Sequence, residues 1–306
     1  MADPIPLHAT PDRLTMTRRL LLQGGGALLA TPWLARALAG VAAAATPLPL
    51  PLRLTQIVNH IGISVPDVVR SATFYSHLFD GTRIVGQDKP ALRYSIDFFP
   101  GAMAIGKLQP SANGGAHAHA LIDHFCVAAV PFDQAAWRAR LDREKLRYFA
   151  RGTFVEVDNI PVQLIGGHEG DAKGPAAGGF KAMPPLYTGE PLVRPHGFHH
   201  VMLHVSDLEA SAALFRKLFG LTPHESSSGG VFFGVGAIRL ELRQTAAGEK
   251  PGIASYAIRV AKLDRSRVGG ELEALGAKVE PADGAGKGTV LRFADPDGIR
   301  CELWVA

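Results

Sequence analysis

The stretch NHIGISVPDVVRSATFYSHLF, which starts at Asn59, recurs as HHVMLHVSDLEASAALFRKLFG, which starts at His199, and this repeat decides the fold. A constant offset of 140 residues sets His60 on His200 and keeps the apolar and polar positions of the two stretches aligned. Chance rarely preserves such an offset over about twenty positions, so the chain contains an internal repeat of one structural unit.

Two weaker copies of the unit start at Asp123, with DHFCVAAVPFDQAAWRARLDREKLRY, and at Ala254, with ASYAIRVAKLDRSRVGGELEALGAKV. In every copy an alternating apolar run predicts a half-buried strand, and apolar residues then recur at helical spacing. An aspartate between the two segments can cap the helix; these aspartates are Asp67, Asp133, Asp207 and Asp264. Runs rich in β-branched and aromatic residues follow each helix, so every unit predicts one strand, one helix and several further strands.

A unit of about 50 residues is too small to cover both faces of its own sheet, so we expect the units to pair. The spacing pairs the first with the second and the third with the fourth. The predicted fold is therefore α+β, with four βαβββ modules paired into two domains. The first domain spans residues 46–166, with modules at about 52–110 and 120–166; a Gly/Pro-rich linker spans 167–195; the second domain spans 196–306, with modules at about 197–245 and 252–306.

Residues 1–45 predict a signal peptide and its flank. The pair Arg18 and Arg19 precedes a weakly apolar stretch that ends in a small-x-small cleavage pattern, an order that resembles a bacterial twin-arginine signal. The apolar run from Leu20 to Leu34 is shorter than the roughly 20 residues of a membrane helix, so we expect no stable membrane insertion after processing. A periplasmic or secreted location follows. The alternative is an N-terminal extension of a cytoplasmic protein.

The formal net charge of +4 is small and dispersed over the chain, which argues against a nucleic-acid partner. The two cysteines, Cys126 and Cys301, both lie in apolar strand-like runs, so we expect two free thiols. The sequence contains no P-loop, dinucleotide-binding, zinc-protease or nucleophile-elbow motif. We expect a small-molecule substrate as the partner, and the sequence leaves the oligomeric state open, a homo-oligomer included.

Four such modules, two HxxxxVxD openings and the closing segment FADPDGIRCEL, which starts at Phe293, resemble the vicinal oxygen chelate superfamily. Its members include glyoxalases, bleomycin and fosfomycin resistance proteins and extradiol dioxygenases. The resemblance covers nearly everything from about Leu52 to the C-terminus. It implies one divalent metal ion, Fe, Mn, Ni or Zn, held in a trough between paired modules by residues of their first and last strands.

Strand alternation predicts which polar residues face that trough. Apolar neighbours on the opposite face leave inward-facing side chains in both domains: His60, His124 and Gln163 in the first, and His200, Glu241 and Glu302 in the second. The resemblance makes these residues the candidate metal ligands, and it sets Gly106 and Ser255 at the two remaining ligand positions. It also implies that Glu241 or Glu302 moves a proton as the catalytic carboxylate.

Charge favours the second domain as the metal site. Two carboxylates neutralise a divalent cation, whereas two histidines and the amide of Gln163 leave its charge uncompensated. Further residues of the second domain are candidates for the substrate pocket: His204, Arg239, Arg243, Ser255, Arg300 and Trp304. The arginines could orient an anionic substrate, or they could pair with Glu241 and Glu302 and make the site metal-free.

Two enzyme classes and one binding class fit these residues. A metal that polarises two vicinal oxygens of a small substrate supports lyase or isomerase chemistry, as the resemblance to glyoxalases implies. The four-module chain fits ring-cleaving extradiol dioxygenases better. The alternative to both is a non-catalytic, bleomycin-resistance-like binding protein with a degenerate metal site, which Gly106, Gln163 and Ser255 at ligand positions favour.

Overall fold

Strands and helices follow one another in the order that the repeat predicts. The structure is a computed structural model that describes residues 53–79, 85–86, 93–98, 101–108, 119–150, 153–166, 181–182, 186–226, 229–281 and 289–305. The predicted signal peptide, residues 1–45, lies outside these ranges. The strands within them are β1 Arg53–Val65, β2 Val85–Gly86, β3 Arg93–Asp97, β4 Ala102–Lys107, β5 Leu121–Val130, β6 Tyr148–Phe149, β7 Phe154–Val157, β8 Ile160–Gly166, β9 Lys181–Ala182, β10 Pro195–Val205, β11 His224–Glu225, β12 Val231–Val235, β13 Ile238–Gln244, β14 Gly252–Val260, β15 Lys278–Val279, β16 Val290–Ala294 and β17 Arg300–Val305. The helices within them are α1 Val68–Leu78, α2 Gln134–Arg143, α3 Leu208–Phe219 and α4 Arg265–Ala274.

Each of these helices begins at the aspartate that the sequence analysis assigned as its cap. The Asp67 carboxylate accepts a backbone N–H of the first turn of α1, and Asp133, Asp207 and Asp264 do the same for the other three. Such a cap satisfies an N–H that has no partner within the helix and stabilises it by about 1 kcal/mol. α3 ends at Gly220, whose φ of 66° closes the helix. Within the described ranges, every helix is too short or too polar to cross a membrane.

Two mixed sheets carry the four modules, two in each. The first sheet has the strand order β6-β7-β8-β5-β1-β4-β3-β2-β9, and the second has β11-β12-β13-β10-β14-β17-β16-β15. The first strands of two modules pair antiparallel in the middle of each sheet, β1 with β5 and β10 with β14. Each of these four strands also pairs in parallel with the last strand of its own module. The predicted α+β fold of paired βαβββ modules is therefore confirmed.

Part of the predicted linker is built into the fold. β9 pairs antiparallel with β2 at the edge of the first sheet. Further along the chain, the backbone N–H groups of Leu192 and Val193 donate to the carbonyls of His77 and Leu78 at the end of α1, both at 3.0 Å. Leu192 and Val193 are themselves buried. The segment that leads into the second sheet therefore packs against the first domain.

One face of each sheet forms the core, and the other carries polar side chains. In β1, Ile61 and Val65 are fully buried in the core. Strand alternation turns the even-numbered residues of the same strand to the opposite face. We call this face of the first sheet the first trough and the corresponding face of the second sheet the second trough; they carry, respectively, His60, Gly62 and Ser64 of β1 and His200, Met202 and His204 of β10.

Two hairpin turns join the domains to each other. The turn between β16 and β17 contains the DPDG sequence, and its Asp295 carboxylate accepts the Tyr75 hydroxyl of α1 at 2.6 Å. The turn between β7 and β8 makes a related contact at the start of α3, where Asp158 accepts the hydroxyl of Ser206 at 2.6 Å. The segment that carries the family resemblance thus has a structural role between the domains.

Candidate functional site

Three predicted ligands of the first trough meet on neighbouring strands. His60 lies on β1, His124 on β5 and Gln163 on β8. The Nε2 atoms of His60 and His124 are 3.4 Å apart, and Oε1 of Gln163 is 2.9 Å from Nε2 of His60. Nitrogen donors at about 2.1 Å from one tetrahedral cation are separated by roughly 3.4 Å. The two imidazole nitrogens therefore have the spacing of ligands that share a metal ion, and Oε1 of Gln163 lies next to one of them.

Gly62 makes room for the His124 ring. The two residues lie opposite each other in the β1–β5 register. A Cβ atom at Gly62 would lie 2.1 Å from Cε1 and 2.3 Å from Nδ1 of His124. Carbon atoms in van der Waals contact are about 3.5–4.0 Å apart, so any larger residue at this position would displace the ring.

Asp123 orients His124, a role that the sequence analysis missed. Its carboxylate accepts the Nδ1–H of His124 and, at 2.5 Å, the hydroxyl of Ser64. A carboxylate only accepts hydrogen bonds, so Nδ1 of His124 carries the proton and Nε2 presents its lone pair. Metal-binding histidines commonly have such a partner on their second nitrogen.

A shift in strand register brings Asp123 to this face. Between Gly62 and Ile63 the pairing of β1 with β5 skips Asp123, as in a β-bulge. Burial would raise the pKa of Asp123, but the hydrogen bonds from His124 and Ser64 outweigh burial and hold the pKa below its usual value. The carboxylate is therefore ionised at neutral pH. Strict alternation predicts the opposite face for Asp123, and nothing in the local sequence marks the bulge.

His60 faces more acceptors than it can satisfy. Burial, followed by the neighbouring His124, lowers its pKa to about 3, so the ring is neutral. Its Nδ1 atom is 3.1 Å from Oδ1 of Asn59, and its Nε2 atom faces Oε1 of Gln163. A neutral imidazole has one N–H. When that N–H is donated to Asn59, lone pairs of His60, His124 and Gln163 converge, and this donor set fits a divalent metal ion.

Aromatic and cationic groups border the three ligands. Phe154 lies opposite Gln163 in the β7–β8 register, and its ring centroid is 5.2 Å from that of His124. Phe149 stacks on Phe154 at 4.8 Å and is 42% exposed. Arg93 on β3 is exposed, and its positive charge contributes to the lowered pKa values of His60 and Asp123. The first trough thus offers both an apolar wall and a positive charge.

The predicted ligands of the second trough meet only in part. His200 is 3% exposed, its Nε2 atom has no hydrogen-bond partner, and Oε1 of Glu302 is 3.9 Å away from that atom. The other carboxylate oxygen of Glu302 accepts the indole N–H of Trp304 at 2.9 Å and is 3.4 Å from Nε of Arg292. Glu302 is therefore held by a guanidinium and an indole as well as facing the imidazole.

Glu241 faces a guanidinium rather than the imidazole. One of its oxygens is 3.8 Å from a terminal nitrogen of Arg243. Burial raises the pKa of Glu241, although the charges of Arg243 and Arg239 oppose that shift. Among the residues that the structure describes, no group of three His, Cys, Asp or Glu side chains has the arrangement of a metal site. The ligand set of His200, Glu241 and Glu302 therefore stays a prediction.

The register shows which positions of the two troughs correspond. His60 lies beside Ala102 as His200 lies beside Arg239. The sequence analysis set Gly106 against Glu241, but the register sets Ala104 there. The remaining positions that correspond are His124 with Ser255, Gln163 with Glu302, and Gly106 with Arg243.

His199 also reaches the second trough, which strand alternation did not predict. The pairing of β10 with β14 shifts register between Phe198 and His200. The His199 ring stacks on Trp304 at 4.4 Å, and its Nδ1 atom is 2.9 Å from Nδ1 of His200. Burial and then neighbouring charges, Arg239 among them, lower the pKa of each of these histidines to about 4. Both rings are therefore neutral at physiological pH.

The other predicted pocket residues differ in exposure. Arg239 and Arg300 are exposed, whereas Ser255 is buried. His204 lies four residues along β10 from the central histidine, roughly 13 Å in an extended strand. Its imidazole is 4.0 Å from an oxygen of Glu249. His204 therefore borders the second trough without joining its centre.

Sequence comparison identifies relatives of this chain. The family model for the Glyoxalase/Bleomycin resistance protein/Dioxygenase superfamily matches residues 197–303, which carry the second trough. The glutathione transferase FosA of Serratia marcescens is 30% identical over 112 residues, which cover 35% of this chain and 79% of that protein. The chain thus shares most of the length of a curated relative.

Solved structures share the two-sheet fold at low identity. The Mn(II)-bound glyoxalase from Novosphingobium aromaticivorans has a TM-score of 0.58 at 14% identity, with 83% of each chain covered. Homoprotocatechuate 2,3-dioxygenase from Arthrobacter globiformis has a TM-score of 0.53 at 15% identity, with 84% of this chain and 82% of that one covered. At these sequence identities, the structural similarity shows a shared fold only. Taken with the identity to FosA, the family match shows that this chain belongs to the glyoxalase/bleomycin resistance protein/dioxygenase superfamily.

Proposed function

We propose that this protein is a metal-dependent enzyme that holds its divalent cation in the first trough, with His60, His124 and Gln163 as ligands. The observation that carries the proposal is the convergence of acceptor atoms on Nε2 of His60, at 2.9 Å and 3.4 Å. The second nitrogen of each imidazole already has a hydrogen-bond partner, Asn59 or Asp123. With the His60 proton on Nδ1 and donated to Asn59, acceptor atoms face each other at the centre of the trough.

Charge now favours the first trough, although the sequence analysis favoured the second. Both carboxylates of the second trough face guanidinium groups, which supply the positive charge that a metal ion would otherwise supply. In the first trough the three ligands are neutral, and the Asp123 carboxylate contributes negative charge through its hydrogen bond to His124. The charge that remains on a divalent cation favours an anionic substrate.

The side chains around the ligands indicate how a substrate would lie. A divalent cation in this site supplies Lewis-acid activation of two neighbouring oxygens. Phe154 and Phe149 offer an apolar wall beside the ligands, and Arg93 can bind an anionic oxygen. We therefore propose a small anionic substrate with vicinal oxygens and an apolar body. Lyase or isomerase chemistry and ring-cleaving dioxygenation can both use such a substrate.

Metal analysis of protein purified without added metal tests the site. We expect about one equivalent of Fe, Mn, Ni or Zn per chain, lost in a His60→Ala, His124→Ala double variant and retained in a His200→Ala variant. Thermal unfolding checks that each variant stays folded. A Gln163→Glu variant should bind the cation more tightly, because a carboxylate neutralises part of its charge. Undiminished metal in the double variant would rule out these ligands.

Two assays on the metal-loaded protein separate the reaction classes. Oxygen consumption with a catechol would indicate ring cleavage. Conversion of a hemithioacetal without oxygen consumption would indicate lyase or isomerase chemistry. Saturable binding of either compound without turnover would favour the binding-protein alternative, with Gln163 as the mark of a degenerate site.

The second trough is the other candidate for the metal and the chemistry. Its supporting observation is the Nε2 atom of His200, which has no hydrogen-bond partner and faces Glu302 at 3.9 Å. The pKa of Glu241 is raised by burial, a property that suits a carboxyl that moves a proton. Metal that survives in the double variant of the first trough and is lost in His200→Ala would favour this candidate.

We also propose that the protein is exported by the twin-arginine route. The proposal rests on Arg18 and Arg19 ahead of an apolar stretch and a small-residue cleavage pattern. Replacement of both arginines by lysine should leave uncleaved protein in the cytoplasm. Unchanged processing in the periplasm would contradict this route.

A further inference from the structure

We propose that the second trough is a metal-free binding site for a small oxyanion, a carboxylate or a phosphate, with Arg239 and Arg259 as its binding groups. Neither Arg259 nor His199 belonged to the site that the sequence predicted. The proposal concerns a different sheet from the metal ligands of the first trough, so it does not depend on that metal site, and it excludes the alternative metal site at His200.

Comparison of the two troughs carries the first step. Ser255 occupies the position of His124, so the second trough lacks one of the two imidazoles of the first trough. Small side chains of the first trough are replaced by long charged ones at corresponding positions in the second: Ala102, Ala104 and Gly106 of β4 correspond to Arg239, Glu241 and Arg243 of β13. The second trough therefore carries charged groups where the first carries small neutral ones.

The charges of this face do not balance. The strands bring five guanidinium groups and two carboxylates to it: Arg239, Arg243, Arg259, Arg292 and Arg300 against Glu241 and Glu302. Both carboxylates lie beside Arg243 or Arg292. Within the described ranges, Arg239 and Arg259 form no ion pair, and Nε of Arg259 is buried without a hydrogen-bond partner. A partly desolvated guanidinium without a counter-ion is unfavourable, and a bound anion would relieve that cost.

Arg259 lies beside the aromatic pair formed by His199 and Trp304, and Arg239 lies on the strand next to that of His199. Arg259 lies opposite Trp304 in the β14–β17 register, and His199 stacks on Trp304 at 4.4 Å. Arg239 lies opposite His200 in the β10–β13 register, with its guanidinium 4.9 Å from the centroid of the Phe232 ring. Arg239 is exposed, so a ligand can approach it from solvent. Guanidinium groups bind carboxylate and phosphate oxygens through paired N–H donors, so this corner of the trough suits a small oxyanion.

Isothermal titration calorimetry on EDTA-treated, full-length protein tests the proposal with benzoate and with inorganic phosphate at low ionic strength. We expect saturable binding of at least one anion. An Arg239→Gln, Arg259→Gln double variant should weaken it roughly tenfold or more, the loss expected when charge-assisted hydrogen bonds are removed. Arg216→Gln is the matched control, because Arg216 is an exposed arginine on α3, on the other side of the sheet. Thermal unfolding checks that each variant is folded.

Every result of these titrations either supports or overturns the proposed anion site. Binding of benzoate alone identifies a carboxylate ligand, binding of phosphate alone identifies a phosphate ligand, and both results support the site. The proposal is overturned if neither anion binds saturably, or if Arg216→Gln weakens binding as much as the double variant does. It is also overturned if binding disappears in His124→Ala, because the anion would then occupy the first trough.

Discussion

One added methyl group at Gly62 tests the metal site of the first trough. In a Gly62→Ala variant the new Cβ atom would lie 2.1 Å from Cε1 and 2.3 Å from Nδ1 of His124. Contact between carbon atoms needs about 3.5 Å, so the ring must move by more than ~1 Å. Metal–ligand distances tolerate changes of about 0.2 Å. The displaced ring can no longer serve as a ligand, and we expect affinity for the metal to fall by at least about 100-fold.

The same variant should remain folded. Alanine in a strand is favoured over glycine by about 0.5–1 kcal/mol, which offsets part of the strain. The His124 side chain is 18% exposed and can turn toward solvent. Gly106→Ala is the matched control in the same trough, because the nearest atom to its Cβ would be Cγ of Arg93 at 3.7 Å, an ordinary contact. We expect this control to bind metal like the wild type.

Calorimetric titration of Zn²⁺ or Mn²⁺ into EDTA-treated protein measures both affinities, and thermal unfolding monitors stability. Wild-type affinity in Gly62→Ala would refute the assignment of His124 as a ligand, because the clash leaves no room for the ring in its present position. An equal loss in Gly106→Ala would mean that the trough responds to any added methyl group rather than to displacement of one ligand.

Three further predictions concern single contacts. Tyr75→Phe should lower the free energy of unfolding by about 1.5–3 kcal/mol in urea titrations, because it removes a hydrogen bond to the buried carboxylate of Asp295. An unchanged free energy of unfolding would contradict the role of this contact between domains. The metal-free protein should lose stability as the pH falls below about 6.5, because His60 and His200 take up protons in the unfolded chain but not in the folded one. We expect a loss on the order of 2 kcal/mol per histidine at about pH 5 relative to neutral pH. Equal urea midpoints at neutral pH and at about pH 5 would be inconsistent with neutral buried rings. Asp123→Asn should weaken metal binding by about 10–100-fold in calorimetric titrations while the fold persists, and wild-type affinity would show that the carboxylate does not orient its histidine.

The amino-acid sequence alone predicted the modules, their pairing and the face on which His60, His124 and Gln163 lie. These features depend on the internal repeat and on strand alternation, which are properties of consecutive residues. The helix caps at Asp67 and its three counterparts were predictable for the same reason, because capping joins residues within one turn.

The environment of the candidate ligands depends on contacts that consecutive residues do not encode. Asp123 and His199 join the troughs where the pairing between strands shifts register, and a shift of one residue turns a side chain to the other face. Glu302 pairs with Arg292 across two strands of the second sheet, which weakens the argument from charge that favoured that sheet. Register and ion pairing between distant segments form only when the whole sheet assembles, so the tertiary structure was needed to distinguish the two troughs.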